Sequence, residues 1–138
     1  MNFEYLKPID EALLTYSKEQ PLLSFGQSIE VFASKDNFPD LSDKKIAIVG
    51  VEEGRSSLNN QGTGEGLHEI RKELYKLFPG NWPISVADLG NIQPGNSIED
   101  TYFALGELLA YLIKNKIIPI IIGGGQDLTY ANYRAYDI

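Results

Sequence analysis

Carboxylates stand at the end of each of three short apolar runs in this sequence. Glu52 and Glu53 follow the first run, Asp88 ends the second, and Asp127 follows the third. If these runs are parallel strands, their carboxyl ends share the edge of the sheet where ligands bind in open α/β folds. Carboxylate oxygens suit hard cations such as Mn²⁺ and Mg²⁺. The pattern fits a site for a metal or a cationic substrate, and it equally fits carboxylates that only cap helices and solvate loops.

The third run leads into a glycine turn that is formed by Gly123, Gly124 and Gly125 and followed by Gln126. Consecutive glycines cost backbone entropy, so we expect the backbone here to approach a ligand or a neighbouring strand closely. A phosphate cradle is one option, but the lysine of a P-loop is absent and no G-x-G-x-x-G follows the first run. The candidate site edge consists of the three glycines with Asp127 and Asp88.

Nucleophilic catalysis has little support in the sequence. There is no cysteine, and no G-x-S-x-G motif presents a serine nucleophile. The single histidine, His68, has Glu65, Arg71 and Lys72 as neighbours at helical spacing, which predicts a polar, solvated position.

Strand and helix signals alternate along the chain and predict an α/β fold with a mainly parallel sheet and helices on both faces. Ser97 and Asp100 resemble a capping box at the start of the clearest helix. Pro119 lies inside the third strand and predicts a local irregularity there, because proline cannot donate a ladder hydrogen bond. The predicted order is strand 46–51, helix 63–78, strand 85–89, helix 97–116, strand 117–122 and helix 127–136.

The ordered α/β region is predicted to cover residues 45–138, after an N-terminal extension of residues 1–44. Within the extension we predict a short helix that ends near Lys18, and residues 35–44 have the composition of a loop. The fold is expected to be incomplete in this chain, as in a fragment of a longer protein. An unfinished sheet edge would favour self-association, so we expect a homo-oligomer.

The bulk composition narrows the classes of partner. The 138 residues carry a formal net charge of −7, which argues against nucleic acid and anionic membranes as partners. Neither a signal peptide nor an apolar run of membrane-spanning length is present, and the absence of cysteine suits a reducing compartment. We therefore expect a cytoplasmic protein.

Four segments together resemble the arginase, agmatinase and formimidoylglutamase family, also called ureohydrolases. They are the strand 46–51, the segment Asn60-Gln61-Gly62-Thr63-Gly64-Glu65-Gly66 with Ile70-Arg71, the strand end Asp88-Leu89-Gly90-Asn91, and Ile120-Ile121-Ile122-Gly123-Gly124-Gly125-Gln126-Asp127. The last segment, with Tyr130 and Tyr133 after it, is most similar to the formimidoylglutamase branch. The resemblance implies a three-layer α/β fold, trimers or hexamers, and a binuclear Mn²⁺ centre that hydrolyses C–N bonds in linear amidines.

The sequence departs from this family at Gln126, where the resemblance implies a metal-ligating histidine. A neutral amide oxygen is a poorer Mn²⁺ ligand than an imidazole nitrogen. The resemblance also implies that the remaining ligands lie outside this chain, so the chain alone is expected to be inactive. Two functions stay open: an amidine hydrolase acting on formimino or guanidino compounds, or a catalytically lapsed member that acts in binding or assembly. A nucleotide-binding module, which rests only on glycine spacing, is the weakest alternative.

Overall fold

The computed structural model describes residues 3–137 and contains a five-stranded sheet. The strands are β1 (Leu6–Lys7), β2 (Glu30–Val31), β3 (Ile46–Val51), β4 (Val86–Ile92) and β5 (Ile118–Ile122). They run in the order β1-β4-β3-β5, with β3, which is rich in β-branched residues, and β4 at the centre, and β2 also pairs with β4. Pairing is parallel between β3 and β4, β3 and β5, and β2 and β4, and antiparallel between β1 and β4. The predicted mainly parallel sheet is therefore confirmed.

Helices cover both faces of this sheet, which confirms the three-layer arrangement. The helices are α1 (Glu11–Glu19), α2 (Phe25–Ser28), α3 (Leu67–Tyr75), α4 (Ile98–Lys114) and α5 (Leu128–Ala135). On one face α4 packs against α5 and buries Ala47, Val49 and Val51 of β3. On the other face α3 packs over Ile48, and α1 and α2 pack against α3. Within residues 3–137, no helix combines the length and apolarity needed to cross a bilayer.

β5 is regular at Pro119, so the predicted irregularity is wrong. Its register with β3 continues through the Ala47–Pro119 pair. Ile118 N–H donates to Lys45 O at 2.8 Å, and alternate residues of a parallel strand bond to the same neighbour. Pro119 therefore faces the other side of β5, where the described residues supply no further strand. Because the backbone nitrogen of Pro119 is not on the side that pairs with β3, its lack of a donor removes no hydrogen bond from the sheet.

The segment before Lys45 adds two short strands to the same sheet. β1 and β2 lie along one side of β4, and Phe32 N–H donates to Asp88 O at 2.8 Å. Leu6 and Phe32 are buried in the main core. The division after residue 44 stays a prediction. The terminal residues of the chain, Met1, Asn2 and Ile138, lie outside the part that the structure describes.

α3 begins four residues later than predicted, because Thr63 belongs to a 3₁₀ turn over Gln61–Gly64 and the helix is capped at Gly66. The helix buries Leu67, Arg71 and Tyr75. Ile70, Leu77 and Phe78, although apolar, are exposed. At α4 the predicted capping box is confirmed, since Asp100 N–H donates to the Ser97 hydroxyl and Ser97 N–H donates to the Asp100 carboxylate.

Candidate functional site

The glycine turn is packed against protein. Gly123 and Gly124 have φ of 74° and 75°, a left-handed conformation that favours glycine. A Cβ at Gly123 would collide with Leu67, and one at Gly124 with Leu128. Gly124 N–H donates to Thr63 O at 3.1 Å, and Gly125 N–H donates to Glu53 O at 3.0 Å. The glycines therefore allow the backbone after β5 to approach the backbone after β3 closely. Of the two alternatives predicted for this turn, a ligand or a neighbouring strand, the contacts are those of the neighbouring strand.

Gln126 is the exposed residue of this turn. Its backbone carbonyl accepts a hydrogen bond from Thr129 N–H at 3.1 Å, within the first turn of α5. In the described part of the chain its side-chain amide makes no hydrogen bond. The backbone of Gln126 is thus held by the turn, while its side-chain amide is free to meet an incoming group.

Asp127 is turned back over the glycine turn and does not cap α5. Its carboxylate lies where a Cβ at Gly125 would stand, which explains the glycine there. Tyr102, on α4, donates its phenolic hydrogen to Asp127 Oδ2 at 2.5 Å. Burial and this hydrogen bond raise the pKa of Tyr102. The pair ties the exit of β5 to the start of α4.

Glu53 is a buried carboxylate that Arg55 neutralises. Its oxygens accept hydrogen bonds from Arg55 Nε at 2.9 Å and Arg55 Nη2 at 2.6 Å, and from the Thr101 hydroxyl at 2.9 Å. The Arg55 guanidinium chiefly holds the pKa of Glu53 down, at about 2. Arg55 also donates to Gly95 O at 3.0 Å, so it joins the exits of β3 and β4.

Asp88 lies inside β4, which runs three residues past its predicted end, and the carboxylate is fully buried. Arg71 donates to both carboxylate oxygens, at 2.8 and 2.9 Å, and the Tyr75 hydroxyl donates at 2.7 Å. Burial is the main cause that raises the pKa of Tyr75. Arg71 Nη1 also donates to Asn91 Oδ1 at 2.5 Å. The only side chain of this group that reaches the strand exits is Asn91, which donates to Glu52 at 2.9 Å.

The sheet edge therefore divides into two groups. Glu53 and Asp127 are held by adjacent residues of α4, Thr101 and Tyr102. Asp88 belongs to a separate ion pair with α3. Across residues 3–137, no group of three or more His, Asp or Glu side chains is placed to hold a metal ion. The residues present thus do not fit a binuclear Mn²⁺ centre.

Sequence reasoning missed the two arginines that neutralise the predicted site. Arg55 follows Glu53 by two residues, a local signal that the sequence offers. Arg71 lies on the buried stripe of α3, four residues after Leu67 and four before Tyr75, where a cation requires a buried partner. The spacing of Arg71 on this buried stripe is a sequence signal for a buried ion pair, although it does not identify Asp88 as the partner.

Comparison with known proteins agrees with this fold. The Arginase family model matches residues 44–137. A formimidoylglutamase of Staphylococcus haemolyticus is 30% identical over 109 residues, which is 75% of this chain and 35% of that protein. A formimidoylglutamase of Streptococcus gordonii is 29% identical over 115 residues, covering 79% of this chain and 35% of that protein.

Solved structures give the same fold. The formiminoglutamase of Trypanosoma cruzi, solved with Mn²⁺, superposes with a TM-score of 0.63 at 23% identity and covers 70% of this chain and 36% of that chain. This chain spans about a third of the length of the curated relatives that it matches. The family match covers most of the described residues and includes the glycine turn, and on that basis the chain belongs to the arginase family.

Proposed function

We propose that this chain is part of a hydrolase of C–N bonds in linear amidines, with formimino compounds as the first substrate class to test. Family membership and the names of the relatives support the reaction type. The observation that carries the proposal is the placement of Gln126 at the exit of β5. A packed glycine turn presents it there, exposed and without a side-chain partner among residues 3–137.

Gln126 is suited to orienting a substrate. An amidine or guanidine group is planar and carries several N–H donors, and the Gln126 amide offers an oxygen acceptor beside an NH₂ donor. Since a neutral amide does not take up or release protons near neutral pH, we assign Gln126 to substrate orientation and not to proton transfer. Asp127, whose Oδ2 already accepts the Tyr102 hydroxyl, supports the turn from behind.

The second candidate is a catalytically lapsed member of the family that acts in binding or assembly. The state of the two buried carboxylates favours it. Glu53 is ion-paired to Arg55 and Asp88 to Arg71, so neither is free to ligate a metal without breaking a buried interaction. In this alternative the packing of the fold is kept, while the carboxylates at the carboxyl edge of the sheet no longer bind a metal ion.

Metal analysis combined with an activity assay separates the two candidates. The experiment uses the full-length protein that contains this chain, as the wild type, as Gln126→His and as a control, Gln93→His, which adds an imidazole at another exposed glutamine. Each protein would be dialysed against Mn²⁺ and assayed for loss of a formimino amino acid. Hydrolysis by the wild type supports the first candidate. Mn²⁺ binding and hydrolysis only in Gln126→His support lapse at this position. If no variant binds Mn²⁺ or hydrolyses the substrate, the hydrolase proposal is rejected.

A further inference from the structure

A groove of about 550 Å³ runs between α4 and α5, on the outer surface of one helix layer. Its volume lies in the range of sites that take a ligand or an anchoring side chain. One end of the groove is formed by Tyr102, whose hydroxyl donates to Asp127 at the candidate site. From there the groove follows α4 as far as Glu107, so most of it lies outside that site.

The middle of the groove has an apolar, aromatic surface that the described chain leaves open. Phe103 on α4 is 68% exposed, and Tyr130 on α5 is 60% exposed. Gly106 lies between the two walls, and a Cβ added there would meet no atom within 4 Å. Exposed aromatic rings around a hollow are typical of the anchor regions of protein interfaces.

The wall formed by α4 carries unpaired acids at both ends. Glu99 and Glu107 are exposed, and neither forms an ion pair with another residue of the described chain. Arg55 acts electrostatically on Glu99 from outside the groove, but it is already paired with Glu53. The two glutamates are about two helical turns apart, roughly 12 Å along α4, and Phe103 lies midway between them.

The whole lining of the groove is acidic. Asp100 adds a third carboxylate, one oxygen of which accepts the Ser97 N–H. The only cation of the lining is Arg134 on α5, whose guanidinium lies 5.8 Å from the Tyr130 ring centre. Three carboxylates thus face one guanidinium, and an aromatic ring of the groove already holds a cation against it. Charge complementarity therefore favours a basic partner.

We propose that this groove binds an amphipathic basic helix of a partner protein. A helix laid along α4 has the same rise per residue, so basic side chains at positions i and i+7 reach Glu99 and Glu107 together. An apolar side chain midway between them enters the hollow above Gly106, between the rings of Phe103 and Tyr130. The partner is therefore recognised by two cations two turns apart with an apolar anchor between them.

The test uses the full-length protein that contains this chain and a fluorescent helical peptide as the probe. The peptide has about 16 residues, long enough to hold a helix, with lysines at i and i+7 and leucine between them. Fluorescence anisotropy at physiological salt should show saturable binding that weakens as salt is added. A matched peptide with glutamates in place of the two lysines should not bind.

Variants at exposed positions test each part of the recognition. Glu99→Lys and Glu107→Lys should each raise the dissociation constant about tenfold, because each removes an attraction and adds a repulsion. Phe103→Ser should raise it at least about tenfold by removing the anchor contact. Arg134→Gln should lower it about threefold, since the one opposing charge is removed. Glu19→Lys, the same change of charge on α1, is the control and should leave the dissociation constant unchanged.

Each other result would overturn the proposal. No binding of the lysine peptide, or equal binding of the glutamate peptide, excludes a basic partner. Equal losses in Glu107→Lys and Glu19→Lys would mean unspecific attraction to an acidic surface. Groove variants that leave peptide binding unchanged but alter the mass in sedimentation would mean that a second copy covers the groove. Thermal unfolding of every variant checks that the fold is kept.

Discussion

Replacing Glu53 by glutamine should remove a defined part of the pH dependence of stability. The pKa of Glu53 falls from an ordinary value near 4.5 to about 2 in the folded chain, chiefly because Arg55 donates to it. Since the folded state then binds fewer protons than the unfolded state, the contribution of Glu53 is present above about pH 4.5 and is lost as the pH falls towards 2.

The magnitude follows from that difference in pKa. The full difference corresponds to about 3 kcal/mol of unfolding free energy. Arg55 is 43% exposed, so solvent screens the pair, and we take about 2 kcal/mol as the contribution. Roughly half of this, about 1 kcal/mol, is expected to disappear between pH 5 and pH 3.

The assay is urea unfolding of the wild type and Glu53→Gln at several pH values from 3 to 7. The gap in unfolding free energy between the two proteins should be largest near neutral pH and narrow by about 1 kcal/mol at pH 3. Glu19→Gln, which changes an exposed glutamate on α1, is the control and should follow the wild type. A gap between wild type and Glu53→Gln that does not change with pH would refute the reasoning.

Two further substitutions test the packing that fixes the sheet edge. Arg71→Met leaves the buried Asp88 carboxylate without its cation and should cost about 3–5 kcal/mol in urea unfolding, whereas Arg134→Met at an exposed site should cost under about 0.5 kcal/mol. Gly124→Ala should cost about 2–4 kcal/mol by thermal unfolding, because its φ is 75° and its Cβ would strike Leu128. Gly62→Ala, which has open space and no positive φ, should stay within about 1 kcal/mol of the wild type. Equal losses for the two alanine variants would contradict the role given to the turn.

The elements that sequence reasoning predicted well are those with strong local signals. The run at Ile46–Val51 is continuously apolar and β-branched, and its bounds in the structure are those predicted. Ser97 and Asp100 encode their own cap, so the start of α4 was also predictable. Both features depend on residues within a few positions of one another, which is why they can be read without tertiary information.

The features that the sequence did not reveal depend on distant partners. β1 and β2 have two residues each and exist only because β4 pairs with them, so no periodicity marks them. Pro119 is tolerated because its position faces the free side of β5, which depends on strand order. The Arg71–Asp88 pair joins residues 17 positions apart. From the sequence alone, a carboxylate that is free at the end of a strand could therefore not be distinguished from one that is buried and paired with an arginine.

Gln126 and the neutralised carboxylates lie at the same edge of the sheet but limit metal binding in different ways. A histidine at position 126 would add one imidazole to an exposed turn, without releasing Glu53 from Arg55 or Asp127 from Tyr102. Freeing Glu53 would also take the carboxylate partner from Arg55, whose guanidinium joins the exits of β3 and β4. Arg55 is thus part of the structure of this sheet edge, whereas the residue type at position 126 is a separate, local feature. If Gln126→His gained metal binding, ligands other than these two carboxylates would be required. Metal affinity is therefore a more direct measure of whether this sheet edge can hold a metal ion than the number of acidic residues around it.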